Sequence, residues 1–119
     1  MNRITIVQHN VLKWTKNRSS QLCNAYQQIN PDVILINSHC LKSDESLKIF
    51  PYTVYKRNRR EDIRGDGVAI AIRNGIQFKI FDDFHEEFLA VEVDTSFGPV
   101  RFATGYLPPR NIVFTQWFR

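Results

Sequence analysis

The run Val33-Ile34-Leu35-Ile36 constrains this chain most, because four consecutive apolar residues without alternation fit a short strand covered on both faces. Upstream, Ile4 to Gln8 is short and β-rich, and that character is lost after Trp14 at Lys16, Asn17 and Arg18 before Ser19 and Ser20 offer helix N-caps. Leu22, Ala25, Tyr26 and Ile29 then recur at i, i+3, i+4 and i+7, which predicts one buried helical stripe. Asn30-Pro31-Asp32 ends the helix, since the residue before a proline disfavours the α conformation. Strand, helix and continuous apolar strand together predict a βαβ unit.

A meander of strands follows. Tyr52 to Tyr55 reads as a strand entering a basic segment, and Gly65-Asp66-Gly67 supplies a turn before Val68-Ala69-Ile70-Ala71-Ile72. Asn74-Gly75 signals a hairpin into a strand with Ile76, Phe78 and Ile80 on one face. Phe88 to Val93 and Val100 to Tyr106 repeat the pattern around the turn Ser96-Phe97-Gly98-Pro99. The expected class is α/β and layered, with a mixed to antiparallel sheet, as one unit over residues 1–119. With 43% hydrophobic and 13% aromatic residues the chain can fill a core, which excludes disorder throughout. The spacing of Phe78, Phe81, Phe84, Phe88 and Phe102 follows the strands and marks them as core rather than a base-stacking row.

Cys23 and Cys40 have no CxxC spacing and no histidine pattern beside them, so reduced thiols are expected rather than a zinc site or a disulfide. No apolar run approaches the ~18 residues of a membrane helix, and the N-terminus carries no signal-peptide pattern. The expectation is a soluble intracellular protein, in nucleus or cytoplasm. The formal charge is +4, and Lys56, Arg57, Arg59, Arg60 and Arg64 fall within nine residues against Glu61 and Asp62. That segment, preceded by Tyr52 and Tyr55, is a candidate for contact with DNA phosphates.

In a βαβ unit, Asn10 and Asn37-Ser38-His39 reach the same rim, the carboxyl ends of the strands, where open α/β sheets bind ligands. The blocks Val7-Gln8-His9-Asn10, Pro31 to His39, Tyr52 to Asn58, Gly67 to Arg73 and Gly105 to Arg110 occur in that order. In this order and spacing the sequence resembles the N-terminal part of the endonuclease domain of non-LTR retrotransposons, within the endonuclease/exonuclease/phosphatase superfamily and related to apurinic-site endonucleases.

The resemblance implies the N-terminal half of a four-layer α/β sandwich that hydrolyses a phosphodiester with Mg²⁺ or Mn²⁺. It implies DNA as substrate, nicked so that an associated reverse transcriptase can prime on the exposed 3′ end. On the matched positions, Asn10 is the asparagine that orients the metal network and Tyr106 the tyrosine beside the scissile phosphate. Ser38 stands where the family has its metal-binding glutamate, and a hydroxyl is a weak, neutral ligand for a hard cation. Asp44 and Glu45 nearby read as solvated loop residues, and neither His9 nor His39 has partner ligands at recognisable spacing. The family's later aspartate, asparagine and histidine blocks follow the tyrosine and have no counterpart before Arg119. A truncated, catalytically impaired endonuclease is therefore expected, prone to self-association through the face the second half would cover. The alternatives are a nucleic-acid-binding remnant without cleavage and an unrelated α/β interaction module.

Overall fold

The computed structural model describes residues 3–41, 45–57, 67–85 and 88–105. Strand β1 (Ile6–Asn10), helix α1 (Lys16–Ile29) and strand β2 (Val33–Asn37) form the expected βαβ unit, with β1 and β2 parallel. Strands β3 (Tyr52–Arg57) and β4 (Val68–Arg73) complete a mixed sheet in the order β1-β2-β4-β3. Strands β5 (Phe78–His85), β6 (Phe88–Thr95) and β7 (Gly98–Gly105) form a second, antiparallel sheet in chain order.

The uninterrupted apolar runs occupy the middle of the first sheet, as their composition requires. Ile34 and Ile36 of β2, with Ala69 and Ala71 of β4, face a core shared with Trp14, Tyr26, Leu47 and Ile49. Val33 and Leu35, with Val68, Ile70 and Ile72, face a second core closed by Leu89, Val91 and Val93 of β6. Each fully buried Ile or Val contributes about 1.5–3 kcal/mol relative to an exposed one. Phe78 and Phe102 pack on the second core, as their spacing predicts.

Three local expectations change. The helix begins before the serines, because Thr15 is extended and its hydroxyl accepts the Arg18 N–H at 3.2 Å. The basic triplet Lys16-Asn17-Arg18 is thus the first turn of α1. The buried line of the helix runs through Leu22, Cys23 and Tyr26, leaving Ala25 and Ile29 exposed. Asn74-Gly75 does form a turn, with Gly75 at φ 98°, but β4 and β5 do not pair. Both edges of β4 are already taken, by β2 and β3, so the chain crosses to the second sheet instead.

Candidate functional site

The carboxyl ends of β1 and β2 lie level, with Asn10 paired in register to Asn37. Antiparallel pairing extends that row to Val68, which opens β4, and to Arg57, which closes β3. In the second sheet the facing row is Phe88 and Gly105. Two side chains tie the rows together. The Asn37 amide donates to the Thr104 hydroxyl at 2.9 Å and to the Gly105 carbonyl at 2.7 Å, while Arg57 donates to the Phe88 carbonyl at 3.2 Å. The Asn37 carbonyl oxygen accepts from the Gln8 amide. One end of the sandwich is therefore a closed frame of Asn10, Asn37, Val68, Arg57, Phe88 and Gly105.

Asn10, Ser38, Lys56 and Arg57 all lie at this end, which gathers four of the eight residues singled out from the sequence. Arg59, Arg60, Arg64 and Tyr106 lie outside the described residues, as does Asp44. Tyr52 is core: it is 8% exposed and its hydroxyl donates to the Pro31 carbonyl at 2.6 Å. Tyr55 stays partly exposed, edge-on to Phe78. Asn37 was legible only as part of the rim block, yet with Arg57 it joins the two sheets at this end.

Backbone strain is concentrated here. Four described residues other than glycine have positive φ, and three of them, Leu12 at 63°, Ser38 at 59° and Cys40 at 59°, lie in the two loops leaving β1 and β2. The fourth, Asn30, caps α1. Left-handed backbone costs an ordinary L-residue about 1–2 kcal/mol, and such strain clusters at functional sites. Ser38 is held there by its N–H, which donates to the Gly67 carbonyl at 2.8 Å. Gly67 in turn sits at φ 78° against the His39 ring, and a Cβ there would fall 2.4 Å from His39 Cε1. The Gly67 position therefore admits no side chain.

His9 is turned away from the rim. Its Nδ1 shares a 2.7 Å hydrogen bond with the Tyr26 hydroxyl on the helix side. Burial lowers the His9 pKa, with the Arg18 charge adding to the effect, and burial pushes Tyr26 up to about 12. His39 is fully buried, with Nδ1 accepting the Leu41 N–H at 2.9 Å. Both cysteines are free thiols, as expected.

The donor set does not suit a hard divalent cation. Asn10 Oδ1 accepts the Leu12 N–H at 3.2 Å, the Asn37 oxygen is occupied by Gln8, and Ser38 is neutral. Mg²⁺ usually takes one or two carboxylates. Asp32, the buried carboxylate of this sheet, is at the opposite end, accepting the Thr5 N–H at 2.7 Å and pairing with Arg73 at 3.2 Å. Among the described residues no three His, Cys, Asp or Glu side chains are grouped to hold a metal. The rim can offer hydrogen bonds and positive charge to phosphate.

A βαβ unit in a mixed sheet, backed by an antiparallel sheet and joined to it at the strand ends, matches part of the endonuclease/exonuclease/phosphatase fold. The chain is similar to the endonuclease domain of TRAS1, a telomere-specific non-LTR retrotransposon, with a TM-score of 0.69 at 16% identity over 92% of this chain and 48% of that one. It is also similar to the 3′ phosphatase NExo from Neisseria, solved with a product DNA hairpin, with a TM-score of 0.62 at 21% identity over 87% of this chain and 41% of that one. The chain spans less than half the length of either structure. No family model and no curated protein matches it. Among the described residues, no helix is long and apolar enough to cross a membrane.

Proposed function

We propose that this chain binds the phosphodiester backbone of DNA at the rim, as the DNA-facing part of an endonuclease of the kind that nicks target DNA for reverse transcription. The observation that carries the reading is the frame itself. It sets Asn10, Ser38 and Arg57 at one end of the sandwich, and Arg57 and Gly67, the described residues between which Arg59, Arg60 and Arg64 fall in the sequence, both lie at that end. The two structural likenesses, a retrotransposon endonuclease and a phosphatase holding DNA, support the same class of ligand. Because the described donors do not fit Mg²⁺ or Mn²⁺, the proposal is binding without turnover by this polypeptide. A reverse transcriptase as partner belongs to the same proposal and rests on the family resemblance of the sequence blocks alone.

Fluorescence anisotropy of a labelled duplex across a NaCl series tests it. Binding should weaken linearly in log[salt], and Arg59→Ala with Arg60→Ala should flatten the slope by about 2, since each phosphate contact contributes ~0.9. A wild type without affinity, or a slope indifferent to these two changes, refutes the reading. A plasmid-nicking assay with Mg²⁺ or Mn²⁺ beside EDTA and an Asn10→Ala, Tyr106→Ala variant should show no cleavage above the variant. Metal-dependent cleavage lost in the variant would establish turnover instead.

A further inference from the structure

We propose that Leu12 is an apolar wedge for duplex DNA: loop 11–14 enters the minor groove with Leu12 against a base step, and Lys13 and Lys16 meet the flanking phosphates. This rests on the reading of the rim as a DNA interface and names the element that touches bases.

Leu12 is 73% exposed although it sits at φ 63°. A leucine has no short polar side chain to compensate a left-handed backbone, as Asn or Asp would. The exposure is also held in place. Val11 and Trp14, on either side, are buried in the core at 0% and 6% exposure. The Leu12 N–H donates to Asn10 Oδ1 at 3.2 Å, the Val11 N–H to the Asn37 carbonyl at 3.1 Å and the Trp14 N–H to the His39 carbonyl at 2.9 Å. Arg18 Nη1 donates to the Val11 and Lys13 carbonyls at 2.7 and 3.0 Å. The loop is thus anchored to β1, β2 and α1, and its one exposed apolar side chain points into water two residues from Asn10.

Charge identifies the partner. Arg3, Lys13, Lys16 and Arg18 are the only charged residues before Asp32, and the twelve remaining Lys and Arg are matched by twelve Asp and Glu. The whole formal charge of +4 therefore belongs to the first 31 residues. Lys13 and Lys16, one and four residues after the leucine, are both exposed. A protein partner could bury a leucine, but a duplex supplies both an apolar base step and an anionic row on each side. Leucine is among the residues that enter base steps from the minor groove, most readily at flexible pyrimidine–purine steps.

The test uses the full chain and a short alternating A·T duplex carrying 2-aminopurine, whose fluorescence rises when its step unstacks. Wild type should bind and raise the fluorescence. Leu12→Asn, compatible with positive φ, should bind about tenfold more weakly with the fluorescence rise lost and the salt slope unchanged, because the lost contact is apolar. Lys13→Ala should instead reduce the slope by about 1. Leu12→Gly, which relieves the backbone entirely, serves as the second variant, and thermal unfolding of both variants should match or exceed wild type. Wild-type affinity and fluorescence in both Leu12 variants would overturn the wedge and leave the DNA interface standing. Absence of binding by wild type would overturn both.

Discussion

His9 and Asn10 are neighbours in sequence and opposed in space, because successive strand residues point to opposite faces. Val7 and His9 turn toward α1, where Tyr26 closes a 2.7 Å hydrogen bond on the imidazole, and Asn10 turns to the other side. That Asn10 ends β1 at the rim was legible; that the histidine beside it turns to a hydrogen bond on the helix side required the packing of α1. The pair predicts two opposite pH effects. For His9, burial and then the Arg18 charge lower the folded pKa below 6.5. The unfolded chain therefore takes up the proton first, and stability falls as pH drops below 6.5, levelling once the folded form titrates. For Tyr26, burial first and the Cys23 charge second raise the pKa from 10.0 to about 12, with Arg18 opposing. That contribution is complete below pH 10.0 and is lost as pH rises through about 12. Urea midpoints should fall in wild type relative to His9→Gln on the acid side and relative to Tyr26→Phe on the alkaline side. Curves parallel to wild type would show that neither group is linked to folding.

Among the elements, the strands were legible where burial dictates composition. β2 from Val33 to Ile36 and β4 from Val68 to Ile72 are uninterrupted apolar runs because each lies between two cores, and β5 alternates because it covers one. Pairing was less legible, since turn chemistry is local and sheet membership is not. Asn74-Gly75 makes its turn whichever sheet the next strand joins. The strained residues Leu12, Ser38 and Cys40 carry no sequence signal, for their backbone is imposed by contacts between loops that are 25 or more residues apart. The polar link between the sheets was equally hidden, because two side chains at the strand ends, Asn37 and Arg57, supply it. Asn37→Ala would leave the Thr104 hydroxyl, the Gly105 carbonyl and the Gln8 amide without their partner. Leaving one buried polar group unpaired costs about 1–3 kcal/mol, so a loss of at least that size is expected. Thr53→Ala, which removes an exposed side-chain bond to Asn74, should change stability by less than about 0.5 kcal/mol. Urea denaturation gives both values, and hydrogen exchange should show faster opening at the Gly105 end of β7 in Asn37→Ala alone. Equal costs for the two variants would refute the view that Asn37 docks the second sheet.

On the scale of the whole molecule, the second sheet covers β2 and β4 but leaves the matching face of β1 open. Val33 and Leu35 on that face are buried, whereas their register partners Ile6 and Gln8 on β1 are exposed, Ile6 by 36%. β7 is paired along one side, to β6, among the described residues. An unpaired strand edge above a partly apolar strip favours addition of another strand, so this chain alone should self-associate there. The rim lies at the end of the same strands, which means association along β1 and β7 would bring two rims side by side rather than bury them. Sedimentation velocity should show a mass that grows with concentration, and Ile6→Lys should hold the protein monomeric with little change in its thermal midpoint, because Ile6 belongs to neither core. Added salt should strengthen wild-type association by damping repulsion between the basic N-terminal segments, while weakening DNA binding. A wild type that stays monomeric at every concentration, or an Ile6→Lys variant that associates equally well, would place the open strip outside any interface and leave β1 as a strand stable with one face in water.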